Sequence, residues 1–162
     1  MELVDLRTRL LQVPFIKGLP RELRDRCAMG LLWVGMPRSV QAGEKLFEQG
    51  AHDENLGCVL LTGQVDVTRD GELLEKLHAP ELLGEILQFT SDKIRTATVK
   101  AAAPCSILAF DWSKFGAESV KFYNESEQAL FKHLLTQCAW QRCAELFDEA
   151  AQRARDMETK RD

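Results

Sequence analysis

Several things are scarce in this chain of 162 residues, and each scarcity closes a door. No apolar run approaches the roughly 18–20 residues of a membrane-spanning helix, and the longest, Met29 to Met36, is interrupted by glycines. Glu2, Asp5, Arg7 and Arg9 stand where a secretory leader needs an uncharged apolar stretch. The five cysteines, Cys27, Cys58, Cys105, Cys138 and Cys143, are odd in number and include no CxxC pair. That argues against both a disulfide framework and a zinc site, and points to reduced thiols in the cytoplasm. Basic residues are outnumbered, giving a net charge of −4, so a general affinity for nucleic acid is not expected. Only three histidines occur, His52, His78 and His133, scattered over a loop, a strand end and a helix. A metal centre needs two or three of them converging with a carboxylate. Neither a GxSxG elbow, nor a Ser/His/Asp arrangement, nor a Walker loop is found, and no catalytic activity is expected.

What is present divides by periodicity. Leu3, Leu6, Leu10 and Leu11 recur at helical spacing; a break follows at Gly18, and Pro20 opens a second short helix carrying Leu23, Cys27 and Met29. Residues 1–30 thus form an N-terminal helical segment. Over 31–111 the period changes to short apolar runs separated by glycine and polar clusters every eight to twelve residues, the pattern of a β-sandwich, roll or barrel. The expected strands are Leu32–Met36, Lys45–Glu48, Gly57–Leu61, Gln64–Thr68, Glu72–Leu77, Thr96–Lys100 and Ser106–Asp111. Asp70-Gly71 predicts a two-residue hairpin turn, and Thr62-Gly63 a further reversal.

Helical spacing returns over 112–158, with a short helix over Trp112–Lys121 and then a long one capped by Asn124 or Ser126. Neither proline nor glycine occurs from Ala117 to Asp162. A helix of thirty-odd residues would run about 45 Å, more than a roll of this size can cover, so part of its apolar stripe is expected to meet a partner helix. A charged tail, 159–162, closes the sequence. Periodicity alone therefore gives a mainly β fold with flanking helices, a sandwich, roll or barrel with N-terminal helices and a long C-terminal helix.

The chemistry concentrates in Leu82-Leu83-Gly84-Glu85-Ile86-Leu87 and, after a short loop, Arg95-Thr96-Ala97-Thr98. Gly84 permits close backbone approach, the amides that follow can face an anion, Glu85 can accept from a hydroxyl, and Arg95 offers a planar fork of donors. The same residues also suit a plain turn at Gly84 and a structural ion pair between Arg95 and Glu85 or Asp92.

Gly84, Glu85, Arg95, Thr96, Ala97 and Thr98 resemble the phosphate-binding cassette of the cyclic-nucleotide-binding domain family. The stretches Gly43-Glu44-Lys45-Leu46-Phe47-Glu48-Gln49-Gly50 and Val59-Leu60-Leu61-Thr62-Gly63-Gln64-Val65 are similar to its entry hairpin and its strand–turn–strand. The resemblance runs over roughly residues 5 to 155. It implies a fold that is mainly β with flanking helices, a double-stranded β-helix or jelly-roll-like β-roll with a long C-terminal helix, and a regulatory module for cAMP or cGMP that needs no further cofactor. In it Arg95 would hold the cyclic phosphate and Glu85 the ribose 2′-hydroxyl. Gly84, Ile86 and Leu87 would offer cassette amides, and Thr96 would contact the phosphate or base. The C-terminal helix would serve as lid and homodimer seam, with Trp140 either stacked on the base or packed on the roll or a partner helix. The family's transcription factors continue into a helix-turn-helix; this sequence stops near Asp162, so direct DNA binding is not expected.

Three positions depart from the family pattern: Leu87 where Ala or Gly is usual, His78-Ala79-Pro80-Glu81 where a glycine-rich turn is usual, and Leu83 where an aromatic is usual. They define a competing reading, a roll without ligand that serves as a dimerisation or protein-interaction scaffold.

Overall fold

The computed structural model describes residues 3–52, 56–84, 94–119 and 123–137. Three helices open the chain: α1 (Leu3–Leu10), α2 (Pro14–Lys17) and α3 (Arg21–Val34). Among the described residues eight strands follow: β1 (Met36–Val40), β2 (Lys45–Phe47), β3 (Leu56–Thr62), β4 (Gln64–Arg69), β5 (Glu72–His78), β6 (Glu81–Leu83), β7 (Thr98–Ala101) and β8 (Cys105–Asp111). Helix α4 (Trp112–Ser119) and a helix over 125–137, α5, complete the described chain. Among the described residues no helix is long and apolar enough to cross a membrane.

The strands form two antiparallel four-stranded sheets, ordered β1-β8-β3-β6 and β2-β7-β4-β5. Strand β3 explains how they stack. Its residues Cys58 to Leu61 are buried without interruption, because a central strand covered on both sides has no solvent face to alternate with. Cys58 and Leu60 point into the space between the sheets with Val65, Val67, Val99 and Ile107. Val59 and Leu61 point the other way, into a second core shared with Leu108, Phe110 and the helices. One sheet is therefore the common wall of two cores, a roll on one side and a helical layer on the other.

The turns follow the residues that supply them. Asp70 and Gly71 both adopt positive φ, 52° and 80°, closing the β4–β5 hairpin as the sequence predicts. Gln49 clasps this turn: the Asp70 amide donates to its Oε1, and its Nε2 donates to Asp70 Oδ1, both at 2.8 Å. At the start of α5, Asn124 Oδ1 accepts from the Glu127 amide at 2.8 Å while Glu127 Oε1 accepts from the Asn124 amide at 3.1 Å. This reciprocal capping box, with an Arg26–Glu127 ion pair, fixes α5 to α3. The backbone amide of Asn124, foremost, and then Arg26 hold the Glu127 carboxyl below its usual range.

Three expectations need correction. Leu32–Val34 belongs to α3 and not to a strand, because Leu23, Cys27 and Leu31 continue the buried helical stripe; extended pairing with β8 begins only at Met36. The N-terminal segment holds three helices, since Pro14 starts an extra turn before Gly18. Strand β6 was not expected: its three residues pair with Cys58 to Leu60 and bury Leu82 and Leu83 on opposite faces.

The helical core contains Cys27, 1% exposed. Burial pushes its thiol from 9.0 up to about 12, with the Tyr123 hydroxyl acting in the opposite direction. The thiol is therefore expected to resist alkylating reagents at pH 8 in the folded protein. The shift also links to stability. Its contribution is complete below about pH 9. Above that the unfolded chain loses the proton while the folded chain keeps it, so stability declines toward pH 12 by up to about 1.4 kcal/mol per pH unit. Denaturant titrations of wild type and Cys27→Ala should show a shallower alkaline decline in the variant; identical slopes would remove Cys27 from this account.

Candidate functional site

The segment joining β6 to β7 returns to the roll through Ile94, which makes an isolated bridge with His52. Arg95 is then locked by its backbone: its amide donates to the Ala51 carbonyl at 3.0 Å, and its carbonyl accepts from the Gly50 amide at 2.9 Å. These bonds present the side chain inward, and Arg95 is 6% exposed. Burying a guanidinium costs several kcal/mol unless protein groups replace its water, because it keeps its charge throughout the ordinary pH range. Among the described residues, a carbonyl and an aromatic ring do so. Nη2 donates to the Leu56 carbonyl at 2.5 Å, and Cζ lies 4.0 Å from the centroid of the Phe47 ring.

Gly84 closes the third side. Its φ of +88° is one that side chains rarely tolerate. A Cβ there would lie 3.1 Å from Phe47 Cζ and 3.2 Å from both Arg95 Nη1 and the Leu56 carbonyl oxygen. The end of β6, the end of β2, the start of β3 and the entry to β7 therefore meet around one cationic group. Thr98, further along the returning strand, accepts the Gln49 amide at 2.9 Å, tying the entry hairpin to the same edge.

Of the residues singled out from sequence, Gly84 and Arg95 are brought together here. Thr96, next to Arg95, is exposed. Glu85, Ile86, Leu87 and Trp140 lie outside the described residues, as does Asp92. Sequence reasoning missed Phe47 and Leu56 as parts of the site. Phe47 sits in the Gly43–Gly50 motif and could have been suspected from it. The Leu56 carbonyl carries no sequence signal, since any residue supplies that acceptor. Among the described residues no group of three or more His, Cys, Asp and Glu could hold a metal ion.

The fold has relatives among solved structures. No curated protein matches the sequence. Among solved structures, the chain is similar to a structure described as Sp-2Cl-cAMPS bound to PKAR CBD2, with TM-score 0.58, 19% identity, and coverage of 83% of this chain and 92% of that one. It is also similar to the sensor domain of the transcriptional regulator DNR from Pseudomonas aeruginosa, with TM-score 0.60, 19% identity, and coverage of 83% and 91%. The Thermus thermophilus catabolite activator protein aligns with TM-score 0.64 and 22% identity over 87% of this chain and 63% of its own. These identities speak for the fold, a β-roll with flanking helices. The model of the cyclic nucleotide-binding domain matches residues 37–118, half of the sequence, a span that holds β2 to β8, all of β1 but Met36, and Phe47, Leu56, Gly84 and Arg95. The chain belongs to the cyclic nucleotide-binding domain family.

Proposed function

We propose that this protein is a regulatory, non-catalytic sensor of a cyclic mononucleotide, cAMP or cGMP. The observation that carries the reading is Arg95: a guanidinium buried inside the roll, beside a positive-φ glycine where backbone can approach a ligand closely. In this reading Arg95 binds the cyclic phosphate and the Gly84 segment, with Ile86 and Leu87, gives backbone donors. Glu85 takes the ribose hydroxyl, and Thr96 meets the phosphate or base. The helix beginning at 125 extends to cover the base, with Trp140 over it, and joins two protomers as a homodimer in the cytoplasm. The relative whose description names a bound cAMP analogue supports the ligand class.

One observation favours a second reading, a scaffold without ligand. The Arg95 guanidinium is already engaged by the protein's own Leu56 carbonyl and Phe47 ring, which suits a charge held for structure.

Calorimetric titration of the nucleotide-stripped protein with cAMP and with cGMP, in parallel, separates the two. A sensor is expected to bind one of them saturably in the micromolar range or tighter and to gain about 2.7 kcal/mol of stability at a hundredfold excess over Kd. Absence of heat and of any shift in unfolding, from folded protein, would overturn the sensor reading and favour the scaffold.

A further inference from the structure

We infer that Phe47 is a positioning residue for the anion site: its ring face fixes the orientation in which the Arg95 guanidinium meets a ligand. This rests on the sensor reading above and deepens it. An arginine side chain has four rotatable bonds, and its fork recognises a phosphate only in the plane it happens to occupy. Among the described residues, three groups bear on that plane. The ring of Phe47 lies under Cζ at 4.0 Å, the Leu56 carbonyl takes one amino group, and Gly84 leaves just enough room for the other, as the 3.2 Å from its absent Cβ to Nη1 shows.

Of these three, the ring is the contribution a side chain supplies and substitution can tune. Phe47 is itself immobilised, 4% exposed and packed in the inter-sheet core with Val99 and Cys58 neighbours in the same cluster. A ring held that firmly transmits its orientation to the cation stacked on it. It also offers its negative face in a place where water is excluded, which is where a cation–π contact is strongest. An aliphatic side chain at 47 would keep the core apolar but withdraw the ring face on which the guanidinium rests.

The test replaces Phe47 with ring-fluorinated phenylalanines of increasing fluorine content, which hold size nearly constant while draining the ring face of negative potential. Calorimetric Kd values for cAMP and cGMP are read alongside the Nε–Hε resonance of Arg95. Affinity is expected to fall stepwise with fluorine content, reaching about tenfold. Phe47→Leu should lose about tenfold and release the Arg95 resonance from its ring-current shift. Equal affinity across the fluorinated series overturns the inference, whatever Phe47→Leu does to folding. If the wild type takes neither nucleotide, the sensor reading falls. The positioning of Arg95 is then decided on its resonance, and identical shifts in wild type and Phe47→Leu overturn it.

Discussion

Replacement of Arg95 by alanine is expected to weaken cAMP or cGMP at least tenfold in the calorimetric titration. A charge-assisted hydrogen bond in a buried setting is worth about 1.5–3 kcal/mol, and a cyclic phosphate in the roll would draw more than one from the fork. Arg95→Lys should recover only part of the loss. An ammonium keeps the charge but gives up the plane that stacks on Phe47 and the two-pronged geometry that can serve the Leu56 carbonyl and a phosphate together. Thermal unfolding of both variants without nucleotide distinguishes a lost contact from a lost fold. Wild-type affinity in a folded Arg95→Ala protein would remove this residue from its proposed role.

The second large effect lies on the opposite side of the wall. Gly57→Ala is expected to destabilise the protein by about 3 kcal/mol, at the upper end of what overpacking a core costs. A Cβ at 57 would sit 2.5 Å from Trp112 Nε1 and 2.8 Å from Phe110 Cζ. Neither ring can step aside. Phe110 and Trp112 stack edge to face with centroids 4.9 Å apart, and Phe115 closes on both, at 5.8 and 6.1 Å. The backbone cannot retreat, since Gly57 is paired with Phe110 across β3 and β8. Denaturant midpoints measure the cost. A loss under about 1 kcal/mol would mean that the aromatic cluster yields, and that its packing is looser than these contacts indicate.

Much of this architecture was legible because local chemistry and fold agree where turns are tight. Asp70-Gly71 can hardly be read as anything but a two-residue hairpin, and the alternation around it gives β4 and β5 directly. The run from Met29 to Met36 misled because a helix end and a buried strand both write themselves as consecutive apolar residues; only the packing of Leu31 against the helical layer decides. Strand β6 escaped because three residues carry no measurable period, and its existence depends on β3 lying alongside. In the site, Gly84 and Arg95 could be named because they resemble the family's phosphate-binding cassette. Phe47 and Leu56, distant in sequence from Arg95, become its neighbours only once the roll closes.

Strand β3 has one more consequence. With apolar side chains on both faces from Cys58 to Leu61, sliding it by a single residue would exchange the two cores' contributions yet expose nothing greasy to water. Hydrophobicity therefore cannot choose its alignment. The choice falls to the two places where the neighbours leave no space for any side chain at all: Gly57 under the Trp112 indole, and Gly63, whose missing Cβ would lie 2.6 Å from Cys105 Sγ. A slip in either direction would drive Leu56, Cys58, Thr62 or Gln64 into one of those gaps. The smallest residues thus act as the notches of a key, setting which carbonyl of β3 arrives opposite Arg95.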